Sequence, residues 1–155
     1  MRERINQAVK DAMKAGDKVR VATLRLVNAA IKDRDVAIKP DDVTRASDGG
    51  RIGEAEIVSL LQKMVKQRRD SIEAYRKGNR EDLVEQEEAE IRIIEEFLPK
   101  QMSEAEIKKE VETIVKETGA AGLKDMGRAM GVLKERYAGQ MDFAKASGAL
   151  KELLK

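Results

Sequence analysis

The chain has 155 residues, 41% of them apolar, which is enough for one or two globular domains with hydrophobic cores. Its 31 Lys and Arg against 29 Asp and Glu leave a net charge of +2, so nucleic-acid binding would have to be local. The absence of Cys and His excludes disulfides, thiolate nucleophiles, Cys/His metal sites and an imidazole base. Aromatic residues make up 3%, too few for a base-stacking platform. We therefore expect no catalytic residue, no metal site and no cofactor.

The sequence also bears on the cellular compartment. No apolar run approaches the length of about 18 residues that a membrane-spanning helix needs. The N-terminal segment 1–7 mixes charges and has no apolar core of a secretory signal. These features predict a cytoplasmic protein that is not bound to a membrane.

Apolar residues recur at helical spacing along nearly the whole chain, which predicts an all-α fold. The first helix is expected to end at Gly16, and Asp17 to cap the second helix. The apolar stripes are Ile5, Ala8, Val9, Ala12 and Met13, then Leu24, Val27 and Ile31. From about residue 37 to 53, turn formers predominate and predict a flexible loop.

The third helix is predicted from about Glu54 to Lys77, with Gly78 ending it. Asn79 stands three residues before Asp82 and is expected to cap the fourth helix. The stripes of these two helices are Ile57, Leu60, Leu61, Met64, Val65, Arg68, Ile72 and Tyr75, then Leu83, Glu87, Ile91, Ile94 and Leu98.

Three shorter helices are predicted in the last third of the chain. Ser103 and Glu106 have the spacing of a capping box, and Asp142 is expected to cap the last helix. Gly119 and Gly139 separate the three helices. Their stripes are Ile107, Val111, Ile114 and Val115; Leu123, Met126, Met130, Leu133 and Tyr137; and Phe143, Ala146, Ser147, Leu150, Leu153 and Leu154.

Pro99 separates two groups of helices that are each joined by short turns. We therefore predict an N-terminal domain of about four helices over 1–99 and a small C-terminal three-helix domain over 100–155. The second domain is short, so its stability in isolation is expected to be marginal.

The predicted third helix is basic and the fourth is acidic. Residues 63–80 carry seven Lys and Arg against two acids, whereas residues 81–96 carry eight acids against one Arg. We interpret this as attraction between two antiparallel neighbours. The alternative is an outward ridge that binds anions, formed by Lys66, Arg69, Arg76 and Lys77.

The last 37 residues carry seven Lys and Arg against four acids, a net charge of +3. Lys124 and Arg128 are four residues apart and are expected to share one helix face, as phosphate contacts require. The candidate phosphate-binding residues are Lys124, Arg128, Lys134, Arg136 and Lys145.

Gly127 and Gly131 lie in the same predicted helix, where a glycine costs about 1 kcal/mol relative to alanine. One interpretation is that the two glycines let a neighbouring helix approach closely. The other is that they make room for an RNA backbone beside Arg128. Met126 and Met130 are assigned to the core.

Several segments resemble the YqeY family, whose members are similar to the C-terminal tail of the B subunit of the glutamine-dependent aspartyl/glutamyl-tRNA amidotransferase. The resemblance runs nearly end to end, and its most specific part is Phe-Leu-Pro-Lys-Gln at 97–101. The segments that carry it are Met13–Lys18, Thr23–Arg25, Leu60–Lys63, Lys66–Tyr75, Gly78–Leu83, Glu95–Ser103 and Lys124–Gly127.

The resemblance implies two helical domains, the second similar to a module that recognises tRNA. We expect a non-catalytic module that binds tRNA or a similar structured RNA through its basic C-terminal helices. The alternative is a protein adaptor for an amidotransferase or another translation component. The family is also associated with carbon–nitrogen ligase activity that uses glutamine, but this chain has no Cys nucleophile and no Gly-x-x-x-x-Gly-Lys-Ser/Thr loop.

Overall fold

The computed structural model describes residues 1–38 and 50–155, and the regular elements in these ranges are helices, which confirms the all-α class. The chain divides into two compact units, unit 1 over Met1–Leu98 and unit 2 over Pro99–Lys155. Unit 1 contains α1 (Arg2–Ala15), α2 (Lys18–Val36), α3 (Glu54–Lys77) and α4 (Glu81–Glu95). Unit 2 contains α5 (Glu104–Thr118), a 3₁₀ turn (Leu123–Asp125), α6 (Met126–Tyr137) and α7 (Phe143–Leu153).

The junction between α1 and α2 is built as predicted. Gly16 ends α1 in the left-handed conformation with φ 70°, which glycine adopts without a steric penalty. The Asp17 carboxylate then accepts a hydrogen bond from the Arg20 amide at 3.0 Å and caps α2. Leu24, the first residue of the predicted α2 stripe, is fully buried, but Met13 of the α1 stripe is exposed.

The bounds predicted for α3 are confirmed, but the capping prediction for α4 is wrong. Asn79 takes the left-handed conformation with φ 57°, and the amide of Arg80 donates to the carbonyl of Tyr75 at 2.9 Å. Asn79 therefore reverses the chain at the end of α3, while Gly78 has φ −89°. Arg80 precedes α4 without a side-chain cap.

The core of unit 1 gathers apolar side chains from all four of its helices. Its buried residues are Ile5, Leu24, Val27, Ile31, Ile52, Ile57, Leu61, Met64, Val65, Ile72, Val84, Ile91, Ile94 and Phe97. The segment before α3 is fixed by a polar cluster, in which the Arg2 guanidinium donates to both Asp35 oxygens at 2.7 and 2.8 Å. Asp35 also accepts from the Ile52 amide at 2.9 Å, and Arg2 donates to the Ile52 carbonyl at 3.0 Å. Of the loop predicted over 37–53, residues 39–49 lie outside the described residues.

Unit 2 opens with the predicted capping box. Ser103 Oγ accepts from the Glu106 amide at 3.2 Å, and the Glu106 carboxylate accepts from the Ser103 amide at 2.8 Å. The hydrogen bond that the Glu106 carboxylate accepts from the Ser103 amide lowers the pKa of Glu106. Asp142 caps α7 as predicted, accepting from the Ala144 and Lys145 amides.

The prediction of a single apolar stripe from Leu123 to Tyr137 is wrong at Leu123. Leu123 lies in the 3₁₀ turn before α6, where α-helical spacing does not apply, and its side chain is exposed. Leu153, predicted in the α7 stripe, is also exposed. The buried core of unit 2 consists of Ile107, Val111, Ile114, Ala120, Ala129, Leu133, Met141, Ala146, Leu150 and Leu154.

Candidate nucleic-acid interface

Asp125 stabilises the turn that precedes α6. Its carboxylate accepts from the Ala121 amide at 3.0 Å, and its other oxygen lies 3.6 Å from an Nη of Arg128. The hydrogen bond from Ala121, together with the charge of Arg128, lowers the pKa of Asp125. The turn therefore places a carboxylate beside one of the predicted phosphate-binding residues.

Both candidate glycines of α6 face open space. A Cβ built on Gly127 or on Gly131 would have no heavy atom within 4 Å, apart from its chain neighbours and the backbone of its own helix. The interpretation that they admit a neighbouring helix is therefore wrong for the residues that the structure describes. Gly131 lies in the interior of α6, and Gly127 is the second residue of the helix. Among the described residues, nothing fills the room beside them.

Lys134 shares a face of α6 with these glycines, because it follows Gly127 by seven residues and Gly131 by three. No carboxylate of the described residues lies within ion-pair distance of Lys134 or of Lys124. Arg128 is on the adjacent face, and its side chain is 58% exposed. Lys124 belongs to the 3₁₀ turn, so the α-helical spacing that predicted a face shared with Arg128 does not apply to it.

The other two predicted cations lie elsewhere on unit 2. Arg136 pairs with Glu117 at 2.7 Å, near the end of α5, and Lys145 pairs with Glu104 at 2.9 Å, at the start of the same helix. Thirteen residues of α-helix separate these two acids, a rise of about 20 Å. The five predicted cations therefore do not form one compact patch.

The ridge predicted on α3 consists of exposed side chains, but its arginines are engaged with α4. Arg69 pairs with Glu95 at 2.9 Å, and Arg76 pairs with Glu88 at 2.9 Å. Lys66 and Lys77 are exposed. The prediction that the basic and acidic helices attract each other is confirmed by these pairs.

Two features of unit 2 were missed by the sequence reasoning. Gly148 lies within α7, and a Cβ there would also meet nothing within 4 Å. Tyr137 Oη donates to the Glu110 carboxylate at 2.6 Å, and this bond raises the pKa of Tyr137. The position of Gly148 inside an amphipathic helix was the available signal for the first feature, whereas nothing local in the sequence pairs Tyr137 with a residue of α5.

Within the described ranges, no group of three or more acidic residues is arranged to hold a metal ion. None of the helices in these ranges is long and apolar enough to cross a membrane.

The amino-acid sequence matches a family model and several relatives. The family model described as "Yqey-like protein" matches residues 2–154. "Altered inheritance of mitochondria protein 41, mitochondrial" of Lachancea thermotolerans is 36% identical over 115 residues, which are 73% of this chain and 57% of that protein. The Kluyveromyces lactis protein of that name is 36% identical over 93 residues, 60% of this chain and 45% of its own length. The one from Pyrenophora tritici-repentis is 29% identical over 141 residues, 86% of this chain and 71% of its own length.

The chain thus spans about half the length of the first two relatives, whose names describe them as mitochondrial. The family match, by contrast, extends over nearly all of the present sequence, including α1 to α7. This chain belongs to the YqeY family.

Proposed function

We propose that unit 2 binds structured RNA of the tRNA type by its phosphate backbone and does not itself catalyse a reaction on it. The observation that carries this proposal is the face of α6 formed by Gly127, Gly131 and Lys134, which we call the glycine–lysine face. It combines open space beside two glycines with a lysine that has no acidic partner among the described residues.

Gly131 lies in the interior of α6, where a glycine lowers helix stability. A glycine inside a helix costs about 1 kcal/mol relative to alanine. No packing of the described residues offsets that cost, because a Cβ at Gly131 would contact nothing within 4 Å. A phosphate backbone that approaches the helix closely would supply a compensating gain, since the missing Cβ shortens the distance to the ligand.

The charges beside this face suit phosphate oxygens. Lys134 stands on the face itself, and the exposed Arg128 guanidinium next to it can donate two parallel hydrogen bonds to a phosphate. Its contact with Asp125 is long, at 3.6 Å, and the guanidinium side is exposed to solvent, so breaking the contact costs little. Lys124 is exposed in the turn before α6 and forms the third cation of the proposed site.

Recognition would depend on backbone shape and not on base stacking. Of the two Tyr and two Phe of the sequence, one is buried and three are partly buried against a core. Phe97 is buried in the core of unit 1, and Tyr75 packs against it. Tyr137 and Phe143 pack against the core of unit 2. A site that has phosphate-binding side chains but no exposed aromatic ring is typical of a protein that recognises a folded RNA by its shape.

Further support for RNA binding comes from the resemblance of the sequence to the amidotransferase tail. The non-catalytic part of the proposal is supported by the residue types, since the chain has neither Cys nor His to serve as nucleophile or base. The ligase alternative instead predicts glutamine-dependent turnover by the purified chain.

The test is binding of a purified, labelled tRNA to the full chain, followed by fluorescence anisotropy over a series of salt concentrations. With about three phosphate contacts, the affinity should fall about 40-fold between about 50 and 200 mM salt. The double variant Arg128→Glu with Lys134→Glu should weaken binding strongly and make the salt dependence shallower. Lys109→Glu, on an exposed position of α5, is the matched control for one charge reversal and should bind like the wild type.

Absence of salt-dependent tRNA binding, or an equal loss in Lys109→Glu and Lys134→Glu single variants, would contradict the proposal. The ligase alternative is tested with glutamine, ATP and mischarged tRNA in the presence of the purified chain alone. Formation of amidated aminoacyl-tRNA would overturn the non-catalytic part.

A further inference from the structure

Helix α2 has a second apolar stripe on the side that faces solvent. The first stripe, with Leu24, Val27 and Ile31, is buried in the core of unit 1. The second stripe is exposed, with 51% exposure at Val19 and Leu26 and 78% at Val36. Its members, which we call the α2 seam, are Val19, Ala22, Leu26, Ala29 and Val36.

The spacing of the seam is that of a coiled coil. The positions 19, 22, 26, 29, 33 and 36 alternate steps of three and four, which is the a/d pattern of a heptad repeat. Asp33 occupies the one polar position of the series. A helix whose apolar residues follow this pattern on an open face is suited to packing against another helix.

One edge of the seam is basic throughout. Lys18, Arg25 and Lys32 follow each other at intervals of seven residues, so they stand in a row beside the a/d positions. No carboxylate of the described residues lies within ion-pair distance of any of the three. The opposite edge is uncharged, with Thr23 buried, Ala30 partly buried and Ala37 exposed.

A cavity of about 370 Å³ opens where α1 ends and α2 begins, at the N-terminal end of the seam. Its apolar lining includes Met13, which is 54% exposed, together with Val21 and Ala22. Lys18 and Arg25 of the basic edge also line it. The cavity can therefore receive a large apolar side chain next to the two cations.

We propose that the α2 seam binds an amphipathic helix of a partner protein, with acidic residues along one edge of its apolar face. The apolar residues of that helix would pack between Val19 and Leu26, and one of them would fill the cavity. Its acidic residues would pair with Lys18, Arg25 and Lys32. Flanking charges of this kind decide which partner and which orientation a helix pair accepts.

A second copy of this chain does not fit the charges. Two α2 seams packed antiparallel would bring their basic edges together, because the same edge positions then face each other. Packed in parallel, the basic edge of one copy would face the uncharged edge of the other. Neither arrangement gives Lys18, Arg25 and Lys32 an acidic partner.

This inference concerns unit 1 and is independent of the RNA proposal for unit 2. The probe is a synthetic helical peptide of about three heptads, with Leu at the a and d positions and Glu at the flanking e and g positions. A second peptide has Lys in place of every Glu. Binding of each labelled peptide to the full chain is measured by fluorescence anisotropy.

The acidic peptide should bind at least about tenfold more tightly than the basic one. Leu26→Glu should lower the affinity for the acidic peptide by at least about tenfold, since it places a charge at the centre of the seam. The triple variant Lys18→Glu, Arg25→Glu and Lys32→Glu should reverse the preference between the two peptides. All these positions are exposed, so circular dichroism should show an unchanged helix content.

The matched control is Leu153→Glu on α7, whose side chain is 46% exposed, and it should leave peptide binding unchanged. Equal binding of the acidic and basic peptides would overturn the proposal, as would an unaltered affinity in Leu26→Glu. Sedimentation that shows a wild-type dimer and a Leu26→Glu monomer would identify a second copy as the occupant and overturn it too. A lipid surface is the third possible occupant. If neither peptide binds, and the wild type binds anionic lipid vesicles but Leu26→Glu does not, the proposal is also overturned.

Discussion

Arg68 Nε donates to a carboxylate oxygen of Glu90 at 2.9 Å, with only 13% and 14% of the two side chains exposed. Arg68 also donates to the carbonyl of Met64 at 3.2 Å. The pair therefore joins α3 to α4 at the edge of an apolar core, where water screens the charges less than at the surface. The outer pair between Arg76 and Glu88 is similarly short, but its side chains are 57% and 38% exposed.

This difference in burial predicts different costs for removing the two glutamates. Glu90→Ala should lower the free energy of unfolding by about 2 kcal/mol, because it leaves the Arg68 charge without a partner in a largely buried position. Glu88→Ala should cost less than about 0.5 kcal/mol. Urea unfolding of the two variants makes the comparison, and equal losses would contradict the assignment of the inner pair as the stronger one.

Glu87, close to this pair, should make stability depend on pH. Burial and then the negative charge of Glu90 raise the pKa of Glu87, and Arg68 opposes the shift. The folded chain thus holds the proton more tightly than the unfolded chain, so stability is lost as the pH rises through the raised pKa. Glu87→Gln should unfold at a higher urea concentration than the wild type at about pH 7 and at the same concentration at about pH 3. If Glu87→Gln is less stable than the wild type at neutral pH, the folded state favours the ionised form of Glu87 and the prediction is wrong.

Asp35 should have the opposite pH dependence. The hydrogen bond from Arg2, together with the one from the Ile52 amide, lowers the pKa of Asp35 below its ordinary value of 3.8. Its contribution to stability is therefore present above that value and is lost as the pH falls through the lowered pKa. Asp35→Asn should destabilise the chain by about 1 to 3 kcal/mol near neutral pH, with a smaller difference under acid conditions. Asp33→Asn, at an exposed position of the same helix, is the control and should have little effect.

Gly131 allows stability and binding to be separated. Gly131→Ala should raise the free energy of unfolding by about 0.5 to 1 kcal/mol, since alanine is the better helix former and its Cβ has free space. Gly119→Ala should do the reverse, because Gly119 has φ 66°, where a Cβ is strained. Thermal unfolding of both variants checks these signs.

A larger residue at the same position tests the glycine–lysine face. Gly131→Leu should leave the helix folded, because nothing of the described residues lies within 4 Å of the new Cβ. If RNA approaches this face, the variant should bind tRNA at least about tenfold more weakly than the wild type. Unchanged affinity in a folded Gly131→Leu variant would exclude this face as the contact surface.

The sequence predicted the helices and several of their ends because these features depend on neighbouring residues. The Ser103 and Glu106 capping box involves residues three apart, and the α3 bounds follow from a long apolar periodicity. The start of α4 was predicted less well, because Gly78 and Asn79 both tolerate the left-handed conformation and a pattern does not say which one adopts it.

The candidate site was harder to predict, because it depends on contacts between helices. The pairing of Arg136 with Glu117 and of Lys145 with Glu104 joins residues from different helices and removes two members from the predicted patch. The open space beside Gly127 and Gly131 is also a property of the packed unit. The exposed seam of α2 was not predicted. Its heptad spacing is the same as that of a buried stripe, and only the structure shows that the other side of α2 is the one in the core.

The ion pairs between α3 and α4 have a consequence for the order in which unit 1 assembles. They join residues 12 to 26 positions apart, whereas Arg2 reaches the Ile52 carbonyl across 50 positions. Closing the shorter loops loses less chain entropy, so the α3–α4 hairpin is favoured to form ahead of the contact between Arg2 and Ile52. In a φ-value experiment, substitutions at the α3–α4 contact should mainly slow refolding, and those around Arg2 should mainly accelerate unfolding.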